Sequence, residues 1–407
     1  MTKNVVLYVF TDTLAYGSDV VSSMATALLA VDLGRSSVQS GLILFSASIP
    51  YLLFGLVGGV VADRVDKRRL MMGCDLARAT VLAFIPLLAA FHCLTVPVLI
   101  GLLVVSTTAR AFYFPARKGI TPDLVADDVS LSQLNLSLNG LESVGSIILP
   151  ALGSVMLLWT HAVPDLFWIP VTTLLGSALA VYLLRVPESR PTLGATPLND
   201  LQQGLGVVFS HGSALPYLVA AFATAIMAEA GVIKIALPKI LSAMQLNHNV
   251  SYEFAIGLMA AAEVGMSFLW GTRRGSRVPP WIFGGYAVRA GGLALLALAL
   301  DLESLPLLIG AVIVQGIGMP MSGPPLTTAL QMATPGPLMG KVMAIRSTIG
   351  NLSDGVSYLL IGGFLEVLSL GRVLWLCATL AGLSALTFWM LWSRHAVNPS
   401  PKRGQVE

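Results

Sequence analysis

Charged residues are scarce in this sequence. Of 407 residues, 24 are Lys or Arg and 21 are Asp or Glu, so 11% are charged, whereas 55% are hydrophobic. A soluble domain carries about 25% charged residues. The composition therefore excludes a water-soluble globular protein. The net charge of +3 gives no indication of a nucleic-acid partner, and none is expected.

Cysteines and catalytic motifs are also few. The three cysteines, Cys74, Cys93 and Cys377, include no C-x-x-C pair, so neither a disulfide framework nor a zinc site is indicated. The five histidines lie in or beside predicted loops, and the sequence has no H-E-x-x-H, phosphate loop or nucleophile motif. We therefore expect no enzymatic activity, no metal, no cofactor and no direct use of ATP.

Long apolar stretches fill most of the chain instead. A membrane-crossing helix needs about 20 mostly apolar residues, and twelve such stretches are separated by turn or charged residues. The first carries Asp12 and Asp19 and lacks a small-residue cleavage pattern, which indicates a retained span rather than a signal peptide. The sequence predicts an all-α membrane protein with twelve transmembrane helices. Spans 1 to 12 are predicted over residues 5–31, 38–62, 70–91, 96–116, 132–158, 165–184, 214–242, 251–270, 280–300, 304–327, 341–367 and 371–393.

Basic residues in the connections are distributed very unevenly. Sixteen Lys and Arg residues fall in the segments on one side, and the opposite loops hold only Arg35 and Arg372. Positively charged loops stay in the cytoplasm. We therefore expect a multi-pass membrane protein with both termini in the cytoplasm.

The one long polar connection divides the chain into two halves that resemble each other. Gly59 and Gly271, Pro115 and Pro324, and Asn135 and Arg346 form pairs at offsets of 212, 209 and 211 residues. Such a constant offset indicates two six-helix pseudo-repeats, an architecture of secondary transporters that bind substrate near the membrane midplane. The predicted domains are an N-terminal bundle over 1–184, a cytoplasmic linker over 185–213, a C-terminal bundle over 214–393 and a cytoplasmic tail over 394–407.

The loop after span 2 carries the most specific motif. Residues 59–69 read GVVADRVDKRR. This loop resembles the G-x-x-x-D-R-x-G-R-R signature of the major facilitator superfamily, with Asp66 in place of the second glycine. Its DRxDRR form resembles the macrolide-efflux and siderophore-exporter branch, as do the segments MGCDLARA from Met72, ARAFYFPAR from Ala109 and GKVMAIR from Gly340. The alternative is that these charges only enforce topology.

The resemblance implies the major facilitator fold and an exporter that exchanges a small amphipathic organic compound, a drug or metabolite, for protons by alternating access. The alternatives are a dedicated siderophore or lysolipid transporter and a non-transporting membrane receptor or scaffold. A glycine-rich export motif of span 5 is altered here at Leu149 and Ser154, which weakens its support for export. The expected partners are a small-molecule substrate, protons and the lipid bilayer, and the expected state is a monomer. A cytoplasmic gate is implied for Gly59, Asp63, Arg64, Lys67, Arg68 and Arg346.

Charges inside the spans are costly and are functional candidates. At 1.5 Å per residue, Asp12 and Arg110 are both expected about 10 Å from the cytoplasmic side, where they could form a proton-sensitive pair or a fixed salt bridge. Asp19 and Glu229 are predicted to be unpaired acids that bind a proton or a cationic group, because an unpaired carboxylate in a medium of low dielectric constant binds a proton more readily. Glu142 of span 5 is a further candidate, for substrate contact or for gating. Neighbouring charges are predicted to neutralise each other as Asp75 with Arg78 and Glu263 with Arg289.

An adaptable apolar pocket could be formed by aromatic, methionine and glutamine side chains, although most such residues in a helical bundle only pack. The candidates are Tyr16, Phe112, Tyr113, Met227, Gln315, Met319 and Met321.

Overall fold

The computed structural model describes residues 3–121, 162–184, 215–244, 252–271, 278–333 and 339–397, together with single residues between 124 and 152 and residue 206. The described chain is helical. Nine helices within it are long and apolar enough to cross a membrane. For span 5 the structure describes single helical residues, including Glu142 and Gly145, and the rest of that span lies outside the described residues.

The other predicted spans all coincide with helices. Span 2 consists of two helices that are interrupted before Pro50, and span 7 contains a π-helical turn after Gly231. The bounds are Lys3–Leu33 for span 1, Ser37–Ser46 and Ile49–Arg64 for span 2, Lys67–Ala90 for span 3, Val96–Ile120 for span 4, Trp168–Leu183 for span 6 after a 3₁₀ turn at Val163–Phe167, Leu215–Gly231, Val232–Ala236 and Leu237–Ala243 for span 7, Tyr252–Gly271 for span 8, Val278–Asp301 for span 9, Leu305–Ala333 for span 10, Met339–Val367 for span 11 and Leu370–Val397 for span 12.

Two helix starts are fixed by side-chain caps. The hydroxyl of Ser36 accepts a hydrogen bond from the backbone N–H of Gln39, 3.3 Å away, at the start of span 2. The carboxylate of Asp66 accepts from the N–H of Arg69 at 3.0 Å and caps span 3. Asp66 stands where the family signature has glycine. The substitution therefore supplies a strong helix N-cap at the loop after span 2.

The helices form two compact units. The first contains residues 1–197, 234–257 and 358–367, and the second contains residues 198–233, 258–357 and 368–407. In the first unit, span 4 packs against spans 2 and 3, and span 6 packs against spans 1 and 3. In the second unit, span 10 packs against span 9, and span 12 packs against spans 7 and 9. These contacts repeat those of the first unit six spans later, as a duplicated bundle requires.

Each unit has its own apolar core. In the first, Tyr8, Met71 and Tyr113 are buried together with the ends of spans 4 and 6. In the second, the core gathers side chains of spans 7, 9 and 10, including Phe283 and Tyr286. The charged side chains described below lie beside these cores.

Candidate functional site

Spans 1 and 4 meet in a register that determines which charges pair. The hydroxyl of Tyr8 lies 2.6 Å from that of Thr121. Asp12 forms an ion pair with Arg117, and Asp19 forms one with Arg110. In each pair the two residue numbers add to 129, as expected for two antiparallel helices in contact along one line. Two described ion pairs of the first unit lie on this line, and two further pairs share Asp19 or Arg117 with it.

The predicted pair of Asp12 and Arg110 is wrong. Span 4 was predicted to end at residue 116, but its helix continues to Ile120. The extra turn places Arg110 deeper, beside Asp19, and brings Arg117 into the helix beside Asp12. The predicted end of span 4 at residue 116 had placed Arg117 in the following loop.

Asp19 is bound by two arginines. Its Oδ1 accepts a 2.5 Å hydrogen bond from Nη2 of Arg78, and its Oδ2 accepts a 2.8 Å bond from Nε of Arg110. The side chain of Arg78 is 3% exposed and that of Arg110 is 38% exposed. The guanidinium of Arg110 also lies 5.6 Å from the ring centre of Tyr51. Asp19 is therefore not the unpaired acid that was predicted.

Arg117 is shared by two carboxylates. It forms an ion pair with Asp12 and a 2.6 Å hydrogen bond from Nη2 to Oε1 of Glu142. The side chain of Asp12 is 2% exposed, whereas that of Glu142 is 29% exposed. We call Asp12, Arg117 and Glu142 the acidic triad. With both acids ionised it carries one net negative charge, and Glu142 is its most accessible member.

Arg78 binds Asp19 on another helix rather than its predicted partner Asp75. The carboxylate of Asp75, which is fully buried, accepts a 2.6 Å hydrogen bond from the hydroxyl of Ser177 on span 6. Span 3 is therefore part of the charged interior of the first unit.

In the second unit Glu229 is buried and paired, not the unpaired acid that was predicted. Its Oε2 accepts a 2.5 Å hydrogen bond from Nε of Arg289, and the two side chains are 6% and 9% exposed. Glu263, the predicted partner of Arg289, interacts with it only electrostatically. A buried pair of this kind contributes specificity more than net stability.

The predicted gate residues divide into two groups. The surroundings of Gly59 and the side chains of Asp63 and Arg64 lie outside the described part of the structure, so the gate assigned to these residues stays a prediction. Arg68 is described: its Nε donates a 3.0 Å hydrogen bond to the carbonyl of Val181, and its Nη2 donates to that of Tyr182. Arg68 thus satisfies carbonyl groups at the C-terminal end of span 6.

The predicted pocket residues are not equivalent. Tyr113 is 3% exposed within the core of the first unit, and Gln315 is fully buried against Gly292 of span 9. The ring of Phe112 lies 6.0 Å from that of Phe54. The remaining candidates, Tyr16, Met227, Met319 and Met321, are half-buried, and the structure does not bring the whole set to one surface of either unit.

The sequence matches one known protein family over most of its length. The family model described as Major Facilitator Superfamily matches residues 7–357, which is most of the chain. The chain belongs to the major facilitator superfamily. It is therefore a multi-pass membrane transporter of a family that does not consist of enzymes, and the predicted all-α fold is confirmed.

Two proteins with sequences similar to part of the chain are efflux proteins. Macrolide efflux protein A of Enterococcus faecalis is 27% identical over 166 residues, which are 39% of this chain and 50% of that protein. Multidrug efflux pump Tap of Mycolicibacterium fortuitum is 23% identical over 198 residues, which are 46% of this chain and 48% of that protein. The match thus spans about half the length of these relatives.

Solved transporters share the whole fold at low identity. The peptide transporter PepTSo superposes with a TM-score of 0.78 at 13% identity, covering 98% of this chain and 99% of that one. The nucleoside transporter NupG superposes with a TM-score of 0.72 at 11% identity, covering 96% and 99%. This likeness concerns the fold alone.

Sequence reasoning missed several residues of this superfamily member that the structure brings into the charged interior. They are Tyr51, Arg117 and Ser177. The antiparallel register of spans 1 and 4 could have identified Arg117, because Asp12 and Asp19 are separated by seven residues, as are Arg110 and Arg117. No comparable spacing indicated Ser177.

Ser177→Ala should destabilise the first unit by about 1.5–3 kcal/mol, because the buried carboxylate of Asp75 would lose its hydroxyl donor. The measurement is the thermal midpoint of the purified protein in detergent. Thr172→Ala is the matched control on the same helix, since the exposed hydroxyl of Thr172 bonds only to carbonyls of its own helix. Equal midpoints for the two variants would contradict this role of Ser177.

Proposed function

We propose that the chain is a proton-coupled secondary transporter that exports a small amphipathic organic compound from the cytoplasm by alternating access. Membership in the superfamily supports secondary transport, and the names of the two efflux relatives support export. The proposed location is the inner membrane of a bacterium, with both termini cytoplasmic and the protein acting as a monomer. The proposed division remains 1–184, 185–213, 214–393 and 394–407.

The acidic triad is the structural feature that supports proton coupling. One guanidinium between two carboxylates leaves one negative charge uncompensated in a medium of low dielectric constant, where such a charge is costly. A single proton on one carboxylate neutralises that negative charge, and the other carboxylate still forms an ion pair with Arg117. Binding and release of a proton therefore change the charge of the triad between neutral and negative.

Glu142 is the proposed proton carrier within the triad. Its partial exposure gives it access to water, whereas Asp12 is almost fully buried and holds Arg117 in place. Asp19 and Arg110 are proposed to maintain the adjoining cavity wall through their ion pair, and Glu229 to do so in the second unit through Arg289. Two packings of spans 1, 4 and 5 that differ in the protonation of Glu142 would couple the proton to the transport cycle.

Glu142→Gln should abolish coupling without abolishing movement of the substrate. In proteoliposomes, a pH gradient should drive transport of an amphipathic compound through the wild-type protein, with proton movement detected by an enclosed pH dye. In the variant we expect gradient-driven transport to fall at least about 10-fold while downhill exchange continues. The amide oxygen of the glutamine can still accept a hydrogen bond from Arg117, but the side chain does not gain or lose a proton.

The matched control is Glu303→Gln, which removes an exposed acid beyond the end of span 9. A variant of Glu142 that keeps the wild-type pH dependence would exclude this residue as the proton carrier. If no compound from a panel of macrolides and other amphipathic drugs moves in either direction through the wild-type protein, the receptor or scaffold alternative is favoured.

A further inference from the structure

Arg346 of span 11 is a cation for which the described part of the second unit provides no carboxylate. Its side chain is half-buried, and its Nε is buried without a hydrogen-bond partner among the described residues. Its guanidinium lies 5.0 Å from the ring centre of Phe222 on span 7. In other ionic contacts of both units, by contrast, arginines bind acids directly.

No described acid of the second unit forms an ion pair with Arg346. Glu229 binds Arg289, and Glu263 interacts with that same pair. Asp301 accepts a 3.0 Å hydrogen bond from the indole of Trp375. Asp354 lies eight residues from Arg346 on the same helix, which is a rise of about 12 Å.

A second buried donor belongs to Tyr286 of span 9. Tyr286 is 3% exposed, and its hydroxyl has no hydrogen-bond partner among the described residues. It lies within electrostatic range of Arg346 but forms no hydrogen bond with the guanidinium. Each of the two side chains therefore keeps a donor group from which no described residue accepts a hydrogen bond.

The first half carries no cation at the position that corresponds to Arg346 in the sequence. Asn135 lies there, at the repeat offset of 211 residues. The arginine is thus specific to the second half. A half-buried cation of a membrane span that has no carboxylate partner among the described residues is a candidate for binding a counter-ion.

We propose that Arg346 and Tyr286 bind a carboxylate or similar anionic group of the transported compound. The ring of Phe222 supports one face of the guanidinium, which leaves the N–H groups at its edge to bind the anion in a forked geometry. Tyr286 donates a further hydrogen bond, and the phenyl ring offers an apolar surface to the body of the ligand. That the bound compound is also transported rests on the proposed function, and the anionic group then defines the substrate class. Binding of the anion itself does not require the protein to transport it.

Equilibrium binding to the full-length protein in detergent tests the site directly. The probe is 2-naphthoate, and its uncharged amide, 2-naphthamide, is the matched neutral compound. We expect the carboxylate to bind the wild-type protein at least about 10-fold more tightly than the amide, and Arg346→Gln to remove that difference. Because no transport is measured, a failure of proton coupling or export leaves this result unaffected.

Further variants separate recognition from folding. Arg346→Lys should retain part of the preference for the carboxylate, because the charge remains but the fork is lost. Tyr286→Phe should weaken naphthoate binding by a few-fold and leave the amide unchanged. Arg372→Gln, which removes an exposed arginine at the start of span 12, should behave as wild type. Equal affinity of the wild-type protein for the two probes, or unaltered naphthoate binding in Arg346→Gln, would overturn the proposal.

A lipid headgroup offers the same anionic chemistry as a soluble carboxylate. Repeating the measurement in nanodiscs of phosphatidylcholine, with and without phosphatidylglycerol, separates these sources. Competition by phosphatidylglycerol in the wild-type protein but not in Arg346→Gln would assign the site to an anionic lipid. Naphthoate binding that is indifferent to phosphatidylglycerol would assign it to soluble compounds.

Discussion

Asp19→Asn is expected to lower the free energy of unfolding by about 3–5 kcal/mol, the cost of removing one partner from a buried ionic contact. The carboxylate of Asp19 is the counter-ion of both Arg78 and Arg110. The guanidinium of Arg110 can reach water, but that of Arg78 is almost completely buried and would keep an uncompensated charge. An asparagine can still accept a hydrogen bond, so the lost stability reports the charge.

The thermal midpoint in detergent measures this effect, and we expect a fall of about 10 °C for cooperative unfolding of the first unit, which contains roughly 230 residues. Asp32→Asn is the matched control on the same helix, because Asp32 is exposed near the end of span 1. The double variant Asp19→Asn with Arg78→Leu should recover part of the lost stability, since it removes the buried cation that has no counter-ion. If Asp19→Asn melts within 2–3 °C of the control, about 1 kcal/mol or less, the contact would not be a major determinant of stability.

The sequence predicted the fold well because the membrane imposes simple requirements. Apolar stretches of sufficient length must be helices, since their backbone groups find no water in the bilayer. Turn and charge patterns then locate the ends of those helices to within a few residues. The repeat offset predicted that two bundles are similar, and the packing of spans 9, 10 and 12 repeats that of spans 3, 4 and 6.

The pairing of buried charges depends on finer information than this. Each turn of helix moves a side chain by about 5.4 Å along the bundle, so an error of one turn at the end of span 4 changes the partners of Asp12 and Arg110. Arg78 was predicted to pair within its own helix, yet its long side chain reaches Asp19. Hydropathy identifies which charges are buried but not which helix supplies the partner.

A contact between the predicted extracellular ends of spans 2 and 11 was not foreseen at all. Oε1 of Glu366 accepts hydrogen bonds from the backbone N–H groups of Ser37 at 2.6 Å and Val38 at 3.2 Å. Nζ of Lys239 donates a 2.5 Å bond to the hydroxyl of Ser37. A carboxylate at the N-terminus of span 2 also interacts favourably with the helix dipole. Glu366 and Lys239 thus hold the start of span 2 from two sides.

Glycines allow the backbones to approach at this contact. A Cβ atom on Gly362 would lie 2.6 Å from the carbonyl oxygen of Ser37 and 3.4 Å from Cα of Gly41. Small residues at such crossings are what permits close helix packing in a membrane. A larger side chain at position 362 must therefore separate spans 2 and 11, and the bonds to Ser37 cannot form once the backbones are apart.

Gly362→Val should open this contact almost completely. Loss of the two charge-assisted interactions at Ser37 corresponds to about 3 kcal/mol or more, a change of roughly 100-fold in the population of the closed contact. A Ser37→Cys reporter, in a protein whose native cysteines are replaced by alanine, measures that population through labelling by a membrane-impermeant maleimide. The reporter should react slowly when position 362 is glycine, because residue 37 is only 4% exposed, and much faster with Gly362→Val.

Gly363→Val provides the matched control, since a Cβ atom at Gly363 would meet nothing within 4 Å among the described residues. It adds the same side chain one residue further along the helix and should leave labelling slow. In proteoliposomes, Gly362→Val should also slow turnover far more than Gly363→Val, because the proposed alternating access requires this end to close. Slow labelling in both variants would show that the helices tolerate the added side chain, and equally fast labelling in both would show that the close approach at Gly362 is not what protects Ser37.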